Sequence, residues 1–336
     1  MAYRLCGLER DSLKTVITGD AGFIGSHLVR RLINEGREVV VADDFSRGSV
    51  RNLLDLGVRI ECPRIDLRDY GRALGVVEGA DVVYHLAARV GSVEYLHGSE
   101  LAELRALQDN LVIDANVFRA CVEAGVRKVI YASSVSVYPI DVQQKPGVVL
   151  SEDDLGSYSP EGGYGWAKLL GEMELGWMRG VDVGIARIFN VYGECEALDE
   201  TAHVIPALMR KAILYPKEGF VVWGDGDQSR CLIYVSDCVD ALTRLEEKAS
   251  SSPITVNIGS DQEVSIRTLA EKIVGLSGKD IKMVFDPAKP TGPVSRTADI
   301  SKAKALLGWQ PRVSLDEGLQ RTYLWAEKRL ASTRRT

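Results

Sequence analysis

The chain has 336 residues, of which 46% are hydrophobic and 26% charged, and its formal net charge is −6. These values are ordinary for a globular protein with one large α/β domain or a domain with a smaller lobe, and they give no support for a nucleic-acid or membrane-surface partner. No apolar run reaches the roughly 18 residues of a membrane span, and residues 1–12 mix charges too freely for a signal peptide. We therefore expect a cytoplasmic protein without a membrane partner.

The cysteines and histidines point to neither a disulfide framework nor a metal site. The six cysteines include no C-x-x-C pair, and the four histidines show no metal-ligand spacing. Several cysteines lie in apolar, strand-like contexts, which is typical of buried, reduced thiols.

The first predicted unit is a strand, a glycine turn and a helix, and it follows an N-terminal extension of residues 1–13. The β-branched run 15–18 leads into three glycines at a G-x-x-G-x-x-G spacing, and apolar residues at helical spacing follow. Such glycines permit a tight turn, approach of backbone N–H groups to a pyrophosphate, and close packing of the helix on the strand. The candidate cofactor contacts in this unit are Gly19, Gly22, Phe23, Ile24 and Gly25.

A second buried strand, Glu38–Ala42, delivers Asp43 at its carboxyl end. Asp43 lies close to the roughly 20-residue offset from the glycine turn that is expected for the acid that binds an adenosine ribose. A carboxylate there accepts hydrogen bonds from both ribose hydroxyls and repels a 2′-phosphate, so the sequence favours NAD over NADP. Asp44 is interpreted as a loop-capping residue.

Two further strands are predicted before residue 90. Val58–Ile65 is expected to be the third strand and Asp81–Ala88 the fourth, with a helix over Gly71–Val77 between them. Strands that alternate with helices predict a parallel, doubly wound sheet whose ligands lie at the carboxyl ends of the strands. Asp66 follows the third strand and would receive the adenine amino group or cap the next helix. The candidate cofactor contacts at these strand ends are Asp66, Leu67, Ala87 and Ala88.

The segment Arg89–Gln108 is polar and biased toward helix, and it is too long for a minimal turn, so we expect it to shape a substrate pocket. An amphipathic helix is predicted over Asn110–Ala124, and Asn110 is a further cofactor candidate. The fifth strand, Lys128–Ala132, then opens into a serine-rich run that contains Ser134.

Ser134, Tyr164 and Lys168 are the catalytic candidates. Tyr164 and Lys168 stand at i and i+4, so they share one face of a helix. A lysine ammonium on that face would stabilise the phenolate and lower the tyrosine pKa from its usual value of about 10. Tyr164 would then take a proton from a substrate hydroxyl, Ser134 would hydrogen-bond the same oxygen, and Lys168 would also bind the nicotinamide ribose.

Together these motifs resemble the extended short-chain dehydrogenase/reductase family, in particular its NAD-dependent sugar-nucleotide epimerases and dehydratases. The resemblance extends from Lys14 to about Trp325, with several motifs in one order. The matching segments are TGDAGFIGSHL at 18–28, YASSVSVY at 131–138, YGWAK at 164–168, RIFNVYG at 187–193, WGDGDQSR at 223–230 and ADISKAKALLGW at 298–309.

The resemblance implies an α/β fold, with a doubly wound parallel Rossmann sheet in residues 14–186 and a smaller mixed α/β C-terminal substrate lobe in residues 187–330. Some elements of the second part are expected to return to the sheet of the first. It also implies NAD as cofactor, a nucleotide-diphosphate sugar as substrate, and a homodimer. Lys289 stands where an arginine is usual, and Arg187 and Arg230 alternatively form structural salt bridges. The substrate-binding candidates that the resemblance implies are Ser136, Asn190, Arg230, Lys289 and Arg296.

The resemblance leaves the reaction open, and a 4-epimerase that works through a 4-keto intermediate is our first interpretation. Dehydratases and decarboxylases of the family carry an acidic residue in the serine motif, where this chain has Val135 and Ser136, so they are disfavoured. A GDP-mannose 3,5-epimerase-like enzyme is the alternative. Such enzymes have a cysteine at the place of Ser136 and a lysine in the segment that matches 194–203, for which Cys195 and Glu196 would substitute. A non-catalytic NAD-binding scaffold would be expected to have lost the tyrosine or lysine, and this chain keeps both.

Overall fold

The computed structural model describes residues 13–60, 62–156, 158–199 and 201–333. Residues 1–12 of the N-terminal extension, with Cys6, lie outside the described residues. The strands are β1 (Lys14–Thr18), β2 (Glu38–Ala42), β3 (Val82–His85), β4 (Lys128–Ser134), β5 (Val149–Leu150), β6 (Asp182–Ile188), β7 (Asn190–Tyr192), β8 (Val221–Trp223), β9 (Ser229–Tyr234), β10 (Ile254–Ile258), β11 (Glu263–Ser265), β12 (Val284–Asp286) and β13 (Thr297–Ala298). The helices are α1 (Phe23–Asn34), α2 (Val50–Asp55), α3 (Tyr70–Val77), α4 (Val93–His97), α5 (Glu100–Glu123), α6 (Ile140–Gln143), α7 (Gly162–Trp177), α8 (Val204–Leu214), α9 (Val235–Lys248), α10 (Ile266–Ser277), α11 (Ser301–Leu307) and α12 (Leu315–Thr333).

The central sheet has six parallel strands in the order β10-β6-β4-β3-β1-β2. Its strands are short apolar runs because helices cover both faces, and Val16 and Ile17 of β1 are fully buried. Strand β2 lies on one side of β1 and β3 lies on the other, so the strand order reverses beside β1. In such sheets the crevice at the carboxyl ends of the strands is the ligand-binding position. The predicted doubly wound parallel sheet is confirmed.

The predicted third strand, Val58–Ile65, is wrong. Of the described residues 58–60 and 62–65, only Arg64 forms a bridge, with Asp43, and the Ile65 N–H donates to the Asp43 carbonyl at 2.8 Å. Pro63 has no N–H to donate, so a ladder cannot run through it. The segment nevertheless passes the end of β2 and brings Asp66 to the sheet edge.

The segment Arg89–Gln108 is largely helical, because α4 and the first part of α5 lie within it. Each helix starts at a serine cap: the Ser92 side chain accepts from the Tyr95 N–H and the Ser99 side chain accepts from the Ala102 N–H. The long helix therefore begins ten residues before the predicted start at Asn110.

The second half of the chain adds small mixed sheets and shares the core of the first. Its sheets are β11-β9-β7, with one antiparallel and one parallel pair, and the parallel pairs β12-β8 and β13-β5. Strand β10 joins the central sheet beside β6, and the main apolar core runs from Ile17 to Trp309. The boundary at residue 186 stays a prediction.

Within the described residues, no helix combines the length and apolar character that crossing a membrane requires. The five described cysteines are free thiols, and all but the half-buried Cys62 are buried.

Candidate active site

A cavity of about 830 Å³ opens at the carboxyl ends of the central strands, between the sheet and the second half of the chain. It gathers residues from nearly every motif that the sequence singled out. The predicted site residues that line it are Gly19, Gly22, Phe23, Ile24, Gly25, Asp43, Asp66, Leu67, Ala87, Ala88, Ser134, Ser136, Tyr164, Lys168, Asn190, Arg230 and Arg296.

The glycine turn after β1 leaves no room for side chains. Gly19 has φ +72°, and a Cβ there would lie 2.8 Å from the Ala87 backbone nitrogen. A Cβ at Gly25 would lie 2.1 Å from the Gly19 carbonyl oxygen. Gly22 is the N-cap of α1 and provides no side-chain cap, and Gly22, Phe23 and Ile24 at this helix start line the cavity. Unsatisfied amides at a helix N-terminus form a binding site for an anion such as a pyrophosphate.

Asp43, which follows β2, hydrogen-bonds to the backbone of this turn. Its carboxylate accepts from the Ala21 N–H at 3.1 Å and from the Phe45 N–H at 2.7 Å. Burial raises the pKa of Asp43, and the two backbone donors oppose that shift only in part. The carboxylate keeps lone pairs for ribose hydroxyls at the cavity wall. Asp66 is half-buried and paired with Arg68 at 2.9 Å, which lowers the pKa of Asp66.

Lys168 is a buried ammonium without a hydrogen-bond partner among the described residues. Its Nζ lies 4.4 Å from the centre of the Tyr131 ring, and the nearby Asp114 accepts from the Tyr131 hydroxyl at 2.5 Å and pairs with His85 at 2.9 Å. Burial lowers the pKa of Lys168, while Asp114 and Glu172 partly offset that shift. An unpartnered ammonium at the cavity wall fits a ribose hydroxyl, so this wall and the glycine turn together fit NAD.

Ser134 and Tyr164 meet at the same wall. The Ser134 hydroxyl oxygen accepts from the Ser136 N–H at 3.1 Å, which leaves its proton for another oxygen. Burial raises the pKa of Tyr164 above its usual value, and the hydrogen bond with Ser134 lowers it only in part. The expectation that Lys168 lowers this pKa stays a prediction; in this structure burial outweighs the hydrogen bond with Ser134.

Gly165 lets α7 pack against Val135–Val137, the serine turn that follows β4. A Cβ at Gly165 would lie 2.3 Å from the Ser136 carbonyl oxygen, so only glycine permits this approach. The same carbonyl accepts from the Glu161 N–H at 2.9 Å, which fixes the start of α7 over the turn. The contact sets the position of Tyr164, the residue before Gly165, relative to Ser134.

The far side of the cavity carries an unpaired cation. Arg230 is buried, its Nη1 donates to the Ser229 carbonyl at 2.6 Å, and no described carboxylate forms an ion pair with it. Burial and then Arg296 lower the pKa of Arg230 to about 10, so it stays charged at neutral pH. Asn190 adds a buried side-chain oxygen without a partner in the described part of the chain. A diphosphate would supply the anion that this guanidinium lacks.

Arg187 is structural rather than a ligand candidate. Its guanidinium pairs with Glu172 at 2.7 Å and donates to the Glu152 carbonyl at 2.8 Å. Arg187 and both of these partners are buried.

Two predicted site residues do not line the cavity. Asn110 lies behind the wall, where its side-chain oxygen accepts from the Arg89 N–H at 2.7 Å and its amide donates to the Ala106 carbonyl at 2.7 Å. It therefore positions Arg89, which does line the cavity. Lys289 is exposed, and its Nζ lies 5.7 Å from the centre of the Trp223 ring.

The segment 194–203 supplies a buried acid. Burial raises the pKa of the Cys195 thiol to about 12, so this group remains protonated. Glu196 lines the cavity and pairs with His203 Nδ1 at 2.7 Å, and burial raises the pKa of its carboxyl. Its second oxygen has no partner among the described residues.

The cavity residues that sequence reasoning missed include Glu161, His97 and His203. Glu161 precedes Tyr164 by three residues, a spacing that places both side chains near one face at the start of α7, so a signal was present. The two histidines lie far apart in the chain, and only the folded path brings them to one cavity.

Comparison with known proteins identifies the family. Residues 15–259 match the NAD dependent epimerase/dehydratase family. GDP-mannose 3,5-epimerase from Arabidopsis thaliana is 32% identical, and the match covers 98% of this chain and 88% of that protein. UDP-glucuronic acid decarboxylase 1 from the same plant is 34% identical over 94% of this chain and 70% of its own length. The structure of UDP-glucose 4-epimerase from Thermotoga maritima, with UDP-glucose, has a TM-score of 0.84 at 27% identity and covers 95% of this chain and 100% of that chain. This chain belongs to the NAD dependent epimerase/dehydratase family.

Proposed function

We propose that this protein is a nucleotide-sugar epimerase, and specifically a 4-epimerase, with Ser134, Tyr164 and Lys168 as its catalytic residues. The observation that carries the proposal is the buried Ser134–Tyr164 pair in one cavity with the Lys168 ammonium and the Arg230 guanidinium, neither of which has a charged partner within hydrogen-bond distance in the described part of the chain.

Each residue has a defined task in this proposal. NAD, when bound, supplies the two-electron oxidation of the sugar at C4 and its reversal on the opposite face of the ring. Tyr164 takes the proton of the C4 hydroxyl and later returns it, once the positive charges of Lys168 and of the nicotinamide ring of bound NAD stabilise its phenolate, and Ser134 donates a hydrogen bond to the same oxygen. Arg230 and Asn190 hold the diphosphate while the sugar turns over.

A 3,5-epimerase is the second candidate, and the 32% identity with the Arabidopsis thaliana enzyme over 98% of this chain favours it. That reaction needs a base that removes a ring C–H proton. The Cys195 thiol is a poor base at neutral pH because burial raises its pKa to about 12. Glu196, with its free oxygen at the cavity, is the remaining candidate for that base.

The proposed assembly is a homodimer through the outer faces of α5 and α7. Trp166, Leu170, Met173 and Trp177 follow one another at helical spacing on α7 and are exposed, with Trp177 70% exposed. Leu101 and Leu104 are exposed on the neighbouring α5. An apolar face of this kind on two adjacent helices is suited to a second copy. Because the described cysteines are free, we also propose a reducing, cytoplasmic location.

The test of function is to incubate the purified protein with UDP-, GDP-, CDP- and dTDP-sugars in deuterated water, without added cofactor, and to identify products by NMR. Inversion at C4 without solvent deuterium is expected, because the hydrogen at C4 never exchanges with water. Tyr164→Phe is the matched control, and we expect it to lose about 10²- to 10⁴-fold in rate.

Deuterium at C3 or C5 would contradict the 4-epimerase and favour the 3,5-epimerase, and Glu196 would then be the residue to mutate. Sugars that remain unchanged with the wild-type protein would overturn both candidates.

A further inference from the structure

Two serines near the reacting centre face the cavity with opposite hydrogen-bonding roles. The Ser134 oxygen accepts from the Ser136 N–H at 3.1 Å, so the Ser134 proton stays available to the Tyr164 oxygen or to a ligand oxygen. The Ser136 hydroxyl instead donates its proton to Glu161 Oε2 at 3.0 Å. Since a serine hydroxyl has one proton, Ser136 presents only lone pairs to a ligand.

The direction of the Ser136 hydroxyl is fixed by a buried ion pair. Glu161 Oε2 also accepts from Arg296 Nη2, and the Arg296 Nε donates to Gln143 Oε1. The side chains of Glu161 and Arg296 are only 14% and 9% exposed. Burial raises the pKa of Glu161, but Arg296, His97 and Ser136 together hold it below its usual value. The carboxylate is therefore ionised at neutral pH and has no proton to give to Ser136.

The same ion pair compensates the positive charge of Arg296 beside Ser136. Arg296 is committed to Glu161, and His97 Nδ1 is paired with Glu103 at 2.6 Å. The unpaired guanidinium of Arg230 is assigned to the diphosphate. A second anion next to Ser136 would face the Glu161 carboxylate and the Ser136 lone pairs, and both contacts are repulsive.

We propose that Ser136, Glu161 and Arg296 determine the substrate specificity. They accept a hydroxymethyl group on the carbon next to the reacting carbon of the sugar and exclude a carboxylate at that position. This inference rests on the proposed function and assigns nucleotide hexoses, rather than nucleotide hexuronates, as the substrate class. A hexose carries a hydroxymethyl group at C5, whose O–H donates to the Ser136 oxygen. A hexuronate carries a carboxylate at that carbon, which offers only acceptors at neutral pH.

The test compares matched pairs that differ only in this group: UDP-glucose with UDP-glucuronate, and GDP-mannose with GDP-mannuronate. Titration calorimetry gives Kd without turnover, and NMR assays give kcat/KM. The wild-type protein is expected to prefer the hexose of its nucleotide by about 100-fold or more. Glu161→Ala frees the Ser136 proton and the Arg296 charge, so we expect this ratio to fall by about tenfold or more.

Two further variants should lower the hexose preference as well: Glu161→Gln removes the charge, and Ser136→Ala removes the acceptor oxygen. They serve as the test if Glu161→Ala does not fold. Glu271→Ala removes an exposed carboxylate on α10 and should leave the ratio unchanged. A folding defect weakens both sugars together, so the ratio separates specificity from stability.

Equal affinity of the wild-type protein for hexose and hexuronate would overturn the inference, and so would an unchanged ratio in the variants. Epimerised product from both sugar types would retain the proposed function and overturn the specificity. Selective binding of the hexose without any product would retain the specificity and overturn the proposed function. No binding of any of the four sugars would overturn both.

Discussion

At the scale of single residues, Asp20 is the least compensated side chain of the glycine turn. It is fully buried, and neither carboxyl oxygen has a hydrogen-bond partner among the described residues. Burial, together with the neighbouring Asp43, raises the pKa of Asp20 from 3.8 to about 8. The folded protein therefore holds a proton here that the unfolded chain releases above about pH 4.

This difference makes stability depend on pH. Because the unfolded state binds fewer protons at Asp20, the free energy of unfolding should fall as pH rises from about 4 to about 8, by up to ~1.4 kcal/mol per pH unit. Asp20→Asn has nearly the same shape and does not titrate, so we expect its stability to decline less over this range. Urea unfolding of both proteins at pH 5, 6.5 and 8 measures the effect. Parallel profiles would show that Asp20 does not carry the proton.

At the scale of secondary-structure elements, the contact between α7 and the serine turn Val135–Val137 sets the catalytic geometry. The contact depends on Gly165, because a Cβ there would lie 2.3 Å from the Ser136 carbonyl oxygen and 3.1 Å from the Pro160 Cβ. Helix α7 would have to move away from the turn, and Tyr164 would move with it. Displacements of about 1 Å at a reacting centre can cost about 10²-fold in rate.

We therefore expect Gly165→Ala to lower kcat/KM by about 10²-fold or more on the sugar that the NMR screen identifies. Gly176→Ala is the matched control in the same helix, since a Cβ there meets nothing within 4 Å. It should keep full activity and gain about 0.5–1 kcal/mol in stability, because alanine favours helix over glycine. Similar rates for the two variants would contradict the assigned role of Gly165.

At the scale of the whole molecule, the apolar outer face of α7 predicts the oligomeric state. The double substitution Leu170→Glu and Met173→Glu places two carboxylates on this face, where both side chains are about two-fifths exposed in the single chain. Burying these charges between two copies would be costly, so we expect a monomer in sedimentation equilibrium where the wild-type protein is a dimer. Leu324→Glu on α12 is the control, because this side chain is 50% exposed outside the proposed interface. A wild-type monomer would refute the dimer.

Short-range patterns were sufficient for much of this protein. The glycine turn, the strand that ends at Asp43 and the Tyr164–Lys168 pair depend on neighbours within a few residues, so their residue types predict their conformations. The same reasoning failed for Val58–Ile65, where an apolar pattern contains Pro63 and Arg64 alone of the described residues has a strand partner. It also placed Asn110 at the cofactor, whereas in the fold its side chain holds the Arg89 backbone.

The sequence by itself therefore determined the parallel sheet, the family and the catalytic candidates, because these follow from local spacing and from motifs in a fixed order. Only the tertiary structure decided how the polar groups are partnered. It showed that Arg187 has a carboxylate partner whereas Arg230 has none among the described residues, that burial raises the pKa of Tyr164, and that Ser136 gives its proton to Glu161. These properties depend on desolvation and on contacts between residues that are distant in the chain, and local patterns do not encode either.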